Sequence, residues 1–383
     1  MSLLKQESFL LVALAFAVLS FLFEHTLLEQ GQFVSMIAAC ALIVVIVMAS
    51  TRVAHHAEIL AHKVGDPYGT MILTLSAVAV EVLILAIMMG SSSSPTLVRD
   101  TIYSAVMLDI NGIIGLAALL GGLRHGEQPY NDDSSRTYSA MILTAMGISM
   151  IVPEFIPEAK WHYYSAFTIF AMIALYALFL KMQVGTHSYF FSYSYRSQTA
   201  AAAPAPTASG TSPSATAEKP QSKPLVQTEA EHESATVSIA VILIGVLIIG
   251  FLAEFMSAFL NEGLEGTGAP PALMAVIVAS ISAAPEILTA LRAALKNRMQ
   301  SVVNIAMGAS LSTVILTVPV MEAIALYTGQ PFIMAMTPVQ TVMVAITLIV
   351  AAINLNDGQT NAIEGMTHFV LFATFVMLTV LGL

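Results

Sequence analysis

Apolar runs long enough to cross a bilayer occupy most of this chain. A helix rises 1.5 Å per residue, so about 20 apolar residues span a hydrocarbon core of about 30 Å. Eleven stretches meet or approach that length: 9–23, 33–50, 68–89, 101–123, 138–153, 165–182, 236–260, 271–295, 301–327, 332–353 and 362–383. The first and fifth are the shortest. Of the 383 residues, 57% are hydrophobic and 10% charged, whereas soluble domains carry about 25% charged residues. The expected class is therefore all-α: a polytopic membrane protein of about eleven transmembrane helices.

Loop charges set the orientation, because lysine and arginine stay on the cytoplasmic side during insertion. With the N-terminus inside, Lys5, Arg52, Lys63, Arg124, Arg136, Lys181, Arg196, Lys219, Lys223, Arg292, Lys296 and Arg298 are cytoplasmic. Of the fourteen basic residues, Arg99 and Lys160 alone fall outside. That asymmetry predicts a cytoplasmic N-terminus and an outside C-terminus. Residues 1–22 have the outline of a signal peptide, but no small-residue cleavage site precedes Phe21-Leu22-Phe23-Glu24, so a retained first span is expected. One cysteine, Cys40, excludes an intrachain disulfide. The net charge of −10 and the lack of basic clusters speak against a nucleic-acid partner.

Between the sixth and seventh spans, residues 198–227 are rich in Ala, Pro, Ser and Thr and lack aromatics. Such a segment buries too little apolar surface to offset its ordering entropy and is expected to be a disordered cytoplasmic linker. The linker divides the spans into six and five. Setting the first aside leaves two halves of five, and because five is odd the second half enters the membrane from the opposite side. The expected organisation is an extra N-terminal helix (1–32), a first five-helix repeat (33–184), the linker (185–235) and a second, inverted repeat (236–383). Inverted repeats recur in secondary transporters, with the ion site at their midplane interface.

The third and eighth spans each carry one carboxylate near the middle, Glu81 and Glu286, preceded by small residues: Ala77-Val78-Ala79-Val80 and Ser282-Ala283-Ala284-Pro285. A charge at bilayer depth is costly and seldom kept without a function. Two at matching positions point to a cation site, against the plainer reading of neutral, hydrogen-bonded acids. Pro285 favours a broken helix, since it removes a backbone donor and frees a carbonyl. The next spans supply polar patches at similar depth, Asp109-Ile110-Asn111-Gly112 and Gly308-Ala309-Ser310-Leu311-Ser312-Thr313. Asp109, Asn111, Ser282, Asn304 and Ser310 are candidates to line the pathway. On the cytoplasmic side His55, Glu58 and His62 share a helical face by their i, i+3, i+7 spacing, the mark of a solvated face, with regulation or proton sensing as the alternative. They do not form a His-Glu-x-x-His site. His368, in the last span, has no evident partner.

The run from His55-His56-Ala57-Glu58 through Gly65-Asp66-Pro67-Tyr68-Gly69-Thr70 to Glu81, with Pro285-Glu286 and residues 297–319 in the second half, resembles bacterial calcium/proton antiporters of the cation/calcium exchanger superfamily. The resemblance implies ten core helices in two inverted repeats plus one extra helix, with Glu81 and Glu286 as the cation and proton site. Many members carry Gly-Asn ahead of each glutamate, where this chain has Ala77-Val78 and Ser282-Ala283. Calcium takes six to eight oxygens, and two carboxylates offset its dehydration. When the ion leaves, two close carboxylates in a low dielectric cannot both stay ionised. Calcium/proton exchange across a bacterial inner membrane is thus expected. Calcium is cargo there, and no resident cofactor and no enzymatic activity are expected. A sodium or potassium/proton antiporter is the alternative in the same class, and a cation channel a remoter one.

Overall fold

The structure is a computed structural model that describes residues 7–64, 68–91, 94–184, 234–270, 272–330 and 332–383. Among the described residues eleven long helices run in order: α1 (Ser8–Leu28), α2 (Gln32–Val64), α3 (Tyr68–Ser91), α4 (Leu97–His125), α5 (Asp132–Phe155), α6 (Trp161–Val184), α7 (Ala235–Leu264), α8 (Ala272–Leu295), α9 (Met299–Thr328), α10 (Pro338–Asn354) and α11 (Ala362–Val380). Among the described residues nine are long and apolar enough to cross a membrane. The shorter apolar helices Leu75–Gly90, within α3, and Pro338–Asn354 complete the expected set. Gly65-Asp66-Pro67 and the linker expected over 185–235 lie outside the described residues, save that Ser234 and Ala235 already begin α7.

Helix ends are written in the sequence. Asn131 Oδ1 accepts from Asp133 N at the start of α5, and Asn361 Oδ1 accepts from Ile363 N and Glu364 N at the start of α11. Thr337 and Gln340 form a capping box around Pro338, which opens α10. Gly329, at φ +68°, closes α9 in the left-handed region that glycine enters freely. The start of α4 differs from expectation. Arg99, assigned above to an outer loop, is buried in its first turn, paired with Asp100 at 2.8 Å and donating Nη1–H to Ala335 O. Asp100 also accepts from Gln340 Nε2, so a satisfied buried ion pair extends the helix beyond its apolar run.

Bonds between connections check the number of crossings. Gln128–Pro129, after α4, pairs antiparallel with Gln359–Thr360, after α10. Six helices separate them, and an even number returns the chain to the same face. Gln128 Nε2 donates to Ala294 O, which brings the α8–α9 connection to that face. At the opposite face Ile333 N donates to Pro95 O, and Gln32 Nε2 donates to Glu265 O. Glu7, bonded to Arg52, and Gly382, beside Pro270, consequently lie at opposite faces.

The two five-helix halves, α2–α6 and α7–α11, are inverted and interlocked. The long helices α2 and α7 pack on each other, α3 lies against α7 as α8 lies against α2, and α4 crosses α11 as α9 crosses α6. Helix α1 is an outer addition on α2 and α7. The α4–α11 crossing depends on glycine: a Cβ on Gly365 would lie 2.2 Å from Leu119 N, and one on Gly122 would lie 2.3 Å from Ala362 N. Small residues bring helices this close where lipid supplies no hydrophobic drive.

Pro285 does not break its helix. Helix α8 continues through it, with Thr289 Oγ1 donating to Pro285 O. Packed neighbours and hydroxyls can re-satisfy the backbone around a proline in a membrane helix. The wide turns fall instead at Leu108–Ile113 in α4, Gly147–Ile151 in α5 and Thr313–Thr317 in α9.

Candidate ion-binding site

Glu81 and Glu286 each lie near the middle of a 24-residue helix, α3 and α8, whose chain directions are opposite. They line one cavity. Ala77, Val78 and Glu81 contribute from α3 and Ser282, Ala283 and Glu286 from α8, the same i, i+1, i+4 pattern from each repeat. Helix α4 adds Ala105 and Asp109, and α9 adds Ala309, Ser312 and Thr313. The small residues preceding each glutamate thus form the wall that gives it space. The cavity volume is about 20 Å³, room for one water or one ion of similar size.

The carboxylates are held differently. Glu81, 5% exposed, accepts from Thr313 Oγ1 at 2.9 Å and Thr317 Oγ1 at 3.2 Å. Both threonines belong to the wide turn of α9, which brings two hydroxyls four residues apart to one carboxylate oxygen. Asp109, 2% exposed, sits in the corresponding wide turn of α4 and accepts from Ser310 Oγ at 3.0 Å. Glu286 is half-buried. No three acidic, histidine or cysteine side chains among the described residues are close enough to hold a metal ion. Three carboxylates therefore surround the cavity without closing on one another, and hydroxyls of Ser282, Ser312 and Thr313 stand among them. This is a hard-oxygen environment with three ionisable carboxyl groups, suited to a cation in transit or to protons.

Two other sequence candidates lie away from the cavity. Asn111 donates Nδ2–H to Thr347 Oγ1 at 2.7 Å, and its Oδ1 lies 3.0 Å from His368 Nδ1, tying α4 to α10 and α11. His368 thus has a partner that only the fold reveals. Asn304 Oδ1 accepts from Gln300 Nε2 at 2.9 Å, and Gln300 Oε1 accepts from Asn131 N, so it braces α9 against the start of α5.

On α2, Glu58 is exposed and His55 half-exposed, while the side chain of His62 lies outside the described residues. The buried member of this segment is His56. Its Nε2 lies 3.0 Å from Glu7 Oε1 and its Nδ1 3.4 Å from Ser238 Oγ, and Arg52 Nη2 donates to Glu7 at 2.5 Å. Burial opposes ionisation of Glu7, but the bonds from Arg52 and His56 outweigh it and hold the carboxyl below its usual range. Sequence reasoning also missed Thr317 and Glu322. Glu322, 2% exposed, accepts from Thr168 Oγ1 at 2.6 Å between α9 and α6. Thr317 was legible as the residue four beyond Thr313; for Glu322 nothing in the sequence named the partner.

A family model described as sodium/calcium exchanger protein matches residues 33–185 and 237–381. The sodium-potassium/proton antiporter ChaA of Escherichia coli (strain K12) is 31% identical over 335 residues, 87% of this chain and 86% of that protein. The Ca2+/H+ antiporter ChaA of Bacillus subtilis (strain 168) is 24% identical, over 88% of this chain and 89% of that protein. The solved structure of the Ca2+/H+ antiporter protein YfkE superposes with a TM-score of 0.72 at 18% identity, covering 97% of this chain and 99% of that one. With a family match over both interlocked repeats and neither α1 nor the linker in it, the chain belongs to the sodium/calcium exchanger protein family.

Proposed function

We propose that this protein is a secondary antiporter that exchanges calcium for protons, with Glu81 and Glu286 as the shared cation and proton site. The observation that carries the reading is the cavity itself: two glutamates from oppositely directed helices face one space the size of a single ion. Asp109 adds a third acidic group at its wall, which favours a divalent over a monovalent cargo. Ionised carboxylates hold the cation. After its release, mutual repulsion in a low dielectric drives protonation, so cation and protons occupy the site in alternation. Rocking of one repeat against the other supplies alternating access. The names of the relatives support cation/proton exchange, and that of the E. coli relative favours a second reading, sodium or potassium in place of calcium.

The test is purified protein in proteoliposomes with a pH-sensitive dye inside, challenged with calcium, sodium or potassium gradients. Calcium-driven proton counterflow that persists when the membrane potential is clamped is expected. Cation flux that follows voltage alone, without proton movement, overturns exchange and leaves a channel. Proton movement with sodium or potassium but not calcium selects the second reading. The loop charges support an orientation with the Gln128 face in the bacterial cytoplasm. Tags on the two termini are expected on opposite sides of the membrane, the C-terminal one reacting with an impermeant reagent in intact cells. A protected C-terminal tag reverses that orientation.

A further inference from the structure

One buried carboxyl plays no part in the ion cavity. Glu322 lies on α9 five residues beyond Thr317, about 7.5 Å of helix rise from the second hydroxyl on Glu81, and six residues short of the helix end at Thr328. Helix α9 leaves the Gln128 face, so Glu322 stands between the cavity and the opposite face. It is 2% exposed, and among the described residues no lysine, arginine or histidine pairs with it. From the helices packed on this end of α9, Tyr164 of α6 is the titratable group facing it, with its hydroxyl donated to Ile148 O, and α3 offers Glu81, deeper in. A carboxyl without a cation inside a membrane helix bundle is seldom kept without a function.

Its surroundings on α6 suit both protonation states. Thr168 Oγ1 lies 2.6 Å from Glu322 Oε2 and 2.9 Å from Ser165 O. A hydroxyl has one proton to give and two lone pairs to receive. With Glu322 ionised, Thr168 donates to the carboxylate. With Glu322 neutral, the acid donates to Thr168 Oγ1 and Thr168 donates to Ser165 O, so both contacts hold without movement of a heavy atom. Ser165 is a reserve donor one turn earlier on α6. Its hydroxyl, in a residue 1% exposed, has no hydrogen-bond partner and lies close enough to act on the carboxyl, so it can turn to donate to the ionised form. A structural acid needs one of these states, whereas a group that takes up and releases protons needs both.

We propose that Glu322 is a proton-relay residue, which takes a proton from water at the Gly329 face and delivers it to Glu81 once the cation has left. This rests on the exchange reading above. In the first step a hydronium ion becomes water as the Glu322 carboxylate becomes the acid. In the second, Glu322 returns to the carboxylate, held by Thr168 and Ser165, as Glu81 becomes the acid. Charge is conserved and no further reactant is needed. Thr317, bonded to Glu81, lies between the two carboxyls along α9. The relay serves one face, because the stretch of α4 beyond its own wide turn, residues 114–123, carries no ionisable side chain.

The test is cation-driven proton movement in proteoliposomes, with equal pH on both sides, over a range of pH and of calcium, sodium or potassium concentration. Glu322→Gln keeps an N–H for Thr168 but has no proton to pass on. Its maximal rate should fall by about a hundredfold at alkaline pH, the lower end of what a positioned acid–base group contributes, and recover as pH falls and protons reach Glu81 unaided. The half-saturating cation concentration should change by less than about twofold, because Glu81 and its threonines are untouched. Glu322→Asp should restore part of the rate. Thr168→Val should shift the pH profile in the same direction by less, and it decides the matter if the glutamine variant does not fold. A glutamine variant with wild-type rates at every pH overturns the relay, as does one slowed equally at every pH with a lowered melting temperature, which would make the acid structural. Wild-type protein that moves no protons with any cation fails the exchange reading and the relay together, whereas exchange by the wild type beside an unimpaired glutamine variant fails the relay alone.

Discussion

Thr313→Val removes one of two hydroxyls that hold the Glu81 carboxylate while keeping the branched shape of the side chain. The structure sets the size of the effect. Thr313 Oγ1 donates to Glu81 Oε2 at 2.9 Å inside a buried site, and a hydrogen bond to a charged acceptor contributes about 1.5–3 kcal/mol, against about 0.5–1.5 for a neutral one. The hydroxyl therefore favours the ionised, cation-ready carboxylate over the neutral acid by about 1–1.5 kcal/mol. Losing it should raise the half-saturating calcium concentration by about five- to tenfold, with maximal turnover much less affected because Glu81 itself remains. Thr317→Val removes the longer bond, at 3.2 Å, and should have the smaller effect. The assay is calcium uptake into proteoliposomes at fixed pH over a range of calcium concentrations, with protein content matched by immunoblot. Unchanged half-saturation in both valine variants would refute the reasoning, since Glu81 would then not need its donors to receive the ion.

Glu81→Gln and Glu286→Gln should each reduce exchange to near background while folding survives, because an amide costs less to bury than a carboxylate; a well-expressed glutamine variant with wild-type uptake would make the pair structural. Gly365→Ala should cost about 1–3 kcal/mol, as its Cβ would meet Leu119 N at 2.2 Å and push α11 from α4. Thermal melts in detergent check this, with Gly90→Ala, where nothing lies within 4 Å, as the neutral control. Glu7 predicts a pH effect at the α1 end. Its folded carboxyl is held low by Arg52 and His56 against the opposing effect of burial, so the stabilisation is present above the unfolded value, about 4.3, and is lost as pH falls through the folded one. Protease accessibility of α1 should rise on acidification in the wild type, and Glu7→Gln should show the same accessibility already at neutral pH.

Hydropathy alone determined the class of this protein. Lipid admits helices whose backbone is internally bonded, so the long apolar runs had no other fold open to them, and their parity around the 198–227 segment implied the inversion. The cost of a charge at bilayer depth singled out Glu81 and Glu286 before any contact was known. Which faces of the helices meet was not legible, because core and lipid are equally apolar and a membrane helix shows little polar periodicity to mark its inner side. Only the tertiary structure could therefore place Asp109 beside the glutamates and turn Asn111 toward His368. The same holds for His56, buried against Glu7 while Glu58 is exposed and His55 half-exposed. Pro285 marked a local chemical possibility, but the wide turns formed on α4 and α9, where packing across the inverted repeats brings hydroxyls from one half to carboxylates of the other. Those bonds join residues more than two hundred positions apart, and the register of the interlocked halves decides them.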